Sequence, residues 1–321
     1  MDIYKYSRKV GETIKWCLIY KNPWYQYKFQ DCFKFWQRFP FNLEVVNLGS
    51  NSAFYGFDYS NLPLKAANWA MRPQSFPQDL AILKTYCSYL RPRAIIFIAL
   101  CPYSSCYKNY KDIELEKYYT ILHPGVFEKF SMEKCEAAFR IKSNPYRYAT
   151  KQMLLSGFKM FAGRLLRRHI PTELMDKQPM TATQLEADSK RWIDGWKKQF
   201  NITDMDALQP EHIVEGRKKR IAVLKEMIAF CKEREYQPVI ILPPVTEYLS
   251  SKFSETFRKN YIYSFLEEAE VSDIPFLNYL DDEQFKDISL YFNSFFLNRT
   301  GAGLFTKTVL KDIKKSVYTS L

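Results

Sequence analysis

The chain has 321 residues, of which 47% are hydrophobic and 17% aromatic, a composition that excludes an intrinsically disordered or low-complexity protein. Ten glycines and no internal repeat exclude a Gly-rich barrel or a repeat array. A formal charge of +12, from 47 Lys+Arg against 35 Asp+Glu, favours acidic partners such as nucleic acid, anionic polysaccharide, nucleotide-activated sugars or an anionic membrane face; it fits a soluble protein with a lysine-rich surface equally well.

Residues 1–42 interleave lysines with Tyr4, Tyr6, Trp16, Tyr20, Trp24, Tyr25, Tyr27, Phe29, Phe33, Phe35, Trp36, Phe39 and Phe41. Such rings can stack on single-stranded nucleic acid or sugars, contact a membrane interface through Trp and Lys, or pack as a helical layer. Their crowded spacing, without an RNA-binding signature, favours the packed layer and makes nucleic acid the weaker partner. The seven cysteines, at 17, 32, 87, 101, 106, 135 and 231, are odd in number and sit mostly among apolar neighbours, as reduced cytoplasmic core thiols do. With no CxxC and no histidine near Cys101 and Cys106, no metal is expected, and nothing calls for an organic cofactor. No N-terminal apolar run and no stretch of ~18 apolar residues occurs. The expectation is a cytoplasmic chain without a transmembrane segment, with peripheral placement at the inner membrane face as the alternative.

Leu43-Glu44-Val45-Val46-Asn47-Leu48 reads as a buried strand, broken by Gly49, after which Ser50-Asn51-Ser52 can cap a helix or turn from Ala53. Pro77, Leu80, Leu83 and Cys87 predict a helix over 78–90, and Arg93 to Leu100 a second buried strand. Residues 103–209 read as a mainly helical insertion. Within it, Leu154, Phe158, Phe161 and Leu165 follow helical spacing, toward an Arg164, Arg167, Arg168 and His169 end that suits either phosphate or a helix C-terminus. Ile221, Leu224, Ile228 and Cys231 mark a further helix, and Pro238 to Leu242 and Ile274–Leu277 two further strands. Strands separated by helices point to an α/β fold with a mainly parallel sheet.

Three blocks resemble the SGNH/GDSL hydrolase superfamily, closest to its bacterial branch linked to capsule and surface-polysaccharide synthesis. These are Asn47-Leu48-Gly49-Ser50-Asn51, the NWAxxPQ run from Asn68 to Gln74, and a late frame from Asn293 to Gly301 similar to DxxHLNxxG. The resemblance covers about 43–100 and 237–317. It implies a three-layer (α/β/α), flavodoxin-like SGNH fold over 43–321, the helical insertion at about 103–209 included, behind the N-terminal layer 1–42. Against the family pattern, Asn51 stands at the nucleophilic serine, Asn293 at the aspartate and Phe296 at the histidine. Arg72 replaces an oxyanion glycine, and no asparagine ends the 93–100 strand, where Ser104 or Ser105 could substitute. An amide is no oxygen nucleophile and phenylalanine no base. The histidines, His123, His169 and His212, lie in no recognisable catalytic motif, and Asp281, Asp282 and Asp287 read as solvated turn acids.

The resemblance therefore implies a catalytically degenerate protein binding a carbohydrate, acyl or nucleotide-sugar ligand, with Gly49, Ser50, Ser52, Asn68, Arg72, Ser104 and Asn298 as pocket candidates. The alternatives are an active carbohydrate O-acyl esterase or O-acetyltransferase with relocated catalytic groups, and a basic nucleic-acid-binding protein.

Overall fold

A computed structural model of the chain describes residues 11–13, 15–37, 39–106, 116–127, 130–165, 174–207 and 209–318. Tyr4, Tyr6, Arg167, Arg168 and His169 lie outside them. In chain order the principal elements are α1 (Pro23–Phe29), β1 (Leu43–Leu48), α2 (Asn51–Gly56), β2 (Ala66–Asn68), α3 (Phe76–Tyr86), β3 (Leu90–Ala99), α4 (Met132–Ser143), α5 (Thr150–Leu165), α6 (Ala182–Phe200), α7 (Glu211–Glu233), β4 (Gln237–Leu242), β5 (Phe276–Asn278) and α8 (Arg299–Tyr318). No helix of the described residues is long and apolar enough to cross a membrane.

The chain forms two compact units, one of Met1–Phe39 with Tyr110–Thr172, the other of Pro40–Asn109 with Glu173–Leu321. The stretch read as one insertion is thus shared between them, and its middle part joins the N-terminal aromatic segment.

The second unit holds a five-stranded, all-parallel sheet in the order β2-β1-β3-β4-β5. β1, β3 and β4 form where β-branched and aromatic residues run together, and both of their side-chain sets are buried. Val45, Phe97, Val239 and Ile241 share one core with Phe305, Val309 and Ile313 of α8, while Val46, Ile96, Ile98, Ile240 and Leu242 fill the alternate positions. α7 packs on β4 and α3. The residue spacing does not mark β2: Ala66-Ala67-Asn68 has little strand propensity and is drawn into the ladder by pairing with Val45, Val46 and Asn47. β5 falls at 276–278, displaced toward the C-terminus from the expected Ile274–Leu277. α6 starts at a capping box, in which Thr181 Oγ1 accepts from Gln184 N and Gln184 Oε1 from Thr181 N, and ends at left-handed Asn201.

In the first unit, Pro23 opens α1 and Asn22 caps it, its Oδ1 accepting from Trp24 N at 3.1 Å and Tyr25 N at 3.4 Å. Asn22 Nδ2 donates to Met153 O at 2.9 Å and Trp24 N to Ser156 Oγ at 3.0 Å, which fixes α5 against α1. Tyr20, Tyr25, Phe29, Phe33 and Trp36 pack ring on ring, with Tyr25 and Phe29 fully buried. These rings form an internal layer rather than an open stacking platform. The α5 stripe behaves differently: Leu154, Phe158 and Phe161 are 58%, 71% and 65% exposed. Met153, Ser156 and Gly157 make the inward contacts instead.

Candidate functional site

In parallel α/β sheets, ligand-binding groups collect beyond the carboxyl ends of the strands, where strand order reverses. Here that point lies between β1 and β3. Gly49 follows β1 with φ +125°, and a Cβ on it would lie 2.9 Å from Ala53 Cβ and 3.0 Å from Ala99 O, so only glycine fits without strain. Gly49 N donates to Asp79 Oδ1 at 2.7 Å. Ser50 O accepts from Phe54 N at 2.9 Å and so begins α2. Its hydroxyl does not cap that helix as expected; Oγ accepts from Gln74 N at 3.2 Å instead. Ser50, Asn51 and Ser52 are half-buried.

The second block is tied to the first. Asn68 Oδ1 accepts from Asn47 Nδ2 at 2.9 Å and from Ala70 N at 3.0 Å, and Asn68 Nδ2 donates to Phe54 O and Phe57 O at 3.1 Å each. Both ends of this amide therefore hold the loop together. Arg72, half-buried and followed by a cis peptide to Pro73, lies 3.8 Å from the Phe54 ring centroid and donates from Nη1 to Tyr55 Oη at 2.5 Å. Gln74 donates from Nε2 to Asp79, which is 2% exposed. Burial pushes the Asp79 carboxyl up to about 7, against the opposing pull of Gln74, Gly49 N and Arg220.

Beyond β3, Ser104 Oγ accepts from Cys101 N at 2.8 Å, and Arg220 Nε donates to Ser104 O. Ser104 thus caps the turn that follows β3 rather than leaving its hydroxyl free as an oxyanion donor. Ser105 is fully buried. Burial also pushes the thiols of Cys32, Cys106 and Cys231 up to about 12, and the six cysteines with described side chains form no disulfide.

The late loop follows the frame read from the sequence but uses its side chains internally. Asn293 Oδ1 accepts from Phe295 N at 3.0 Å and Phe296 N at 2.7 Å, an Asx turn. Asn298 Oδ1 accepts from Gly301 N at 3.0 Å while Nδ2 donates to Ser289 O at 2.6 Å. A Cβ on Gly301 would lie 2.2 Å from Leu290 O, which explains the glycine. Phe296 is buried, its ring 5.1 Å from Tyr55, 5.5 Å from Trp192 and 4.5 Å from Phe295.

Tyr55 is where three parts of the candidate site meet: α2 carries it, Arg72 hydrogen-bonds it, and Phe292 and Phe296 flank it at 5.1 Å. Ser104, Asn68 and Asn298 have their own partners elsewhere. Two acids were not singled out in the sequence. Asp79 sits in the first turn of α3, where an acid is ordinary and draws no notice. Asp188, on α6, accepts through Oδ2 from Ser294 Oγ at 2.7 Å, Ser294 N at 3.1 Å and Trp192 Nε1 at 3.1 Å, with Arg191 on Oδ1. Burial raises the Asp188 carboxyl, but these donors and Arg191 outweigh it and hold the group below the usual carboxylate range. Spacing on α6 can suggest the Arg191 pair; nothing local points to Ser294.

Among the described residues no histidine or carboxylate hydrogen-bonds the side chain of Ser50 or Ser52. His123 Nδ1 accepts from Gly125 N, and His212 Nε2 meets Phe200 O at 2.8 Å. Asp282 and Asp287 cap short turns and Asp281 pairs with Arg258. No group of three or more His, Cys, Asp or Glu able to hold a metal occurs among the described residues. A cavity of about 820 Å³ lies at the opposite end of the sheet, between Tyr263, Leu266 and the entrance to β5 at Pro275, and is lined by none of the candidate site residues. No protein-family model and no curated protein matches the chain.

Proposed function

We propose that the chain is a degenerate SGNH-like protein that binds a carbohydrate or acylated ligand beside Tyr55 and does not cleave esters. The observation that carries this reading is Phe296: the position the SGNH pattern gives to the general base is a buried ring packed on Tyr55, Trp192 and Phe295. A serine hydroxyl at pH 7 needs a base within hydrogen-bond reach. Ser50 Oγ instead accepts from a backbone amide, and Asn293 spends its oxygen on two backbone N–H groups. The strand order 2-1-3-4-5, all parallel, supports the flavodoxin-like, three-layer assignment. Half-buried Asn51, Ser52, Phe54 and Arg72 provide amide, hydroxyl, ring and guanidinium groups, the set that binds sugar hydroxyls and acyl carbonyls. The capsule and surface-polysaccharide context rests on the resemblance of the NLGSN and NWAxxPQ blocks.

The test is hydrolysis of p-nitrophenyl acetate and of an acetylated oligosaccharide by wild type, Ser50→Ala and Ser52→Ala, with calorimetric titration of the same oligosaccharide. Background rates in all three, together with binding that Arg72→Ala weakens about tenfold, is the expected result. A rate above background that one serine variant removes would instead assign an active esterase with relocated groups.

A further inference from the structure

Charge and exposed apolar surface are concentrated in the same unit. Residues 1–39 and 110–172, under a third of the chain, hold 20 of the 47 Lys+Arg and 9 of the 35 Asp+Glu. The other unit is left with 27 and 26, so +11 of the +12 net charge belongs to the first. Of the fifteen exposed large hydrophobic side chains among the described residues, ten lie in this unit: Leu18, Tyr27, Phe130, Met132, Phe139, Tyr148 and the α5 residues Leu154, Leu155, Phe158 and Phe161.

The four α5 residues form one surface. At 100° per residue, Leu154, Phe158 and Phe161 fall within about 60° of one another and Leu155 widens the stripe to about 120°. Exposed Lys151 lies within that arc and exposed Lys159 at its margin. The opposite side of α5 is fixed by Asn22 on Met153 O and Trp24 N on Ser156 Oγ, so the stripe is held outward by its own unit. A contiguous apolar face set among lysines marks an interaction surface.

Its occupant must be apolar and anionic together. A nucleic acid or an acidic polysaccharide supplies charge but no aliphatic phase for two leucines. A second copy supplies apolar surface but brings its own +11. An anionic bilayer supplies both, and amphipathic helices with Leu and Phe on one face and lysines beside them lie at that boundary. We propose that this unit docks on an anionic lipid surface, with Leu154, Leu155, Phe158 and Phe161 entering the boundary between headgroups and acyl chains and Lys151 and Lys159 among the headgroups. The proposal is independent of the ligand reading at Tyr55.

The test is co-sedimentation of the full chain with phosphatidylcholine vesicles, with and without phosphatidylglycerol, at low and high salt. Wild type is expected to pellet only with the anionic vesicles and to release as salt rises. Leu154→Glu with Phe158→Glu should lower the partition coefficient at least about tenfold, and Lys151→Glu with Lys159→Glu should weaken binding and flatten its salt dependence. Phe158→Ser with Phe161→Ser serves as the milder apolar variant, and circular dichroism checks that each is folded. Four results would overturn the proposal: no wild-type binding at low salt, equal binding to neutral vesicles, folded apolar variants that pellet like wild type, or a lipid-free dimer in sedimentation velocity that the apolar variants dissolve.

Discussion

The sheet unit and the N-terminal unit handle apolar residues in opposite ways. In the sheet unit Phe305, Val309 and Ile313 of α8 are all buried on the strands, and charge is nearly balanced at 27 against 26. In the N-terminal unit α5 buries only the side carrying Met153 and turns an equally apolar side to solvent, in a setting of 20 basic and 9 acidic residues. A helical stripe in the sequence thus marks a surface that wants an apolar neighbour, and the neighbour need not belong to the same fold.

Substitutions can break or sharpen this contrast. The largest effect is expected in the sheet unit at Gly301, where a Cβ would sit 2.2 Å from Leu290 O. Gly301→Ala should cost more than about 3 kcal/mol in urea unfolding, and a cost below about 1 kcal/mol would show that the late loop does not approach Leu290 so closely. Next is Asp188→Ala, which strands Ser294 Oγ, Ser294 N and Trp192 Nε1. It should cost about 3 kcal/mol at pH 7. Because the folded Asp188 carboxyl titrates below its unfolded value of 3.8, the contribution it makes should persist above pH 4 and fade as pH falls through the folded pKa. Acid unfolding of wild type and variant side by side checks this.

Asp79 has the opposite sign. Its folded carboxyl titrates near 7 against 3.8 unfolded, so the stability tied to its neutral form is full below about pH 4 and is lost as pH rises toward 7. Asp79→Asn keeps an acceptor for Gly49 N and Gln74 and removes the ionisation. It should be more stable than wild type at pH 8 and no more stable at pH 4, and parallel stability curves across that range would sink this reading. The smallest effect belongs to the N-terminal unit: Phe158→Ser should change stability by under about 0.5 kcal/mol. A cost of 2 kcal/mol or more, on the order of a buried ring, would mean that the stripe is packed and the contrast is wrong.

How far the sequence could be read follows from the same physics. β1, β3 and β4 were legible because their β-branched runs carry the signal within a few residues, and the terminal helix because Phe305, Val309 and Ile313 repeat on one face. β2 was not, since Ala66-Ala67-Asn68 becomes a strand only through its partner. At the candidate site, Gly49 and Gly301 were visible as breaks in the pattern. The reasons for them, Ala99 O and Leu290 O, are contacts across the fold. Asp188 and Ser294 are 106 positions apart, and no local spacing predicts such a pair. Periodicity also disclosed the α5 stripe without its direction, which Asn22 and Ser156 decide.

The discontinuity of the N-terminal unit sets an order of events during synthesis. Its first segment ends at Phe39, and the residues that complete it run on to Thr172. At ~5–20 residues per second, Tyr25 and Phe29 leave the ribosome roughly 6–26 s before Met153 of α5, the helix that packs on α1. All of β1, β2 and β3 emerge in that interval, so the nascent chain carries a bare aromatic segment beside a half-built sheet. Holding those two apolar surfaces apart falls to whatever meets the chain at the exit tunnel.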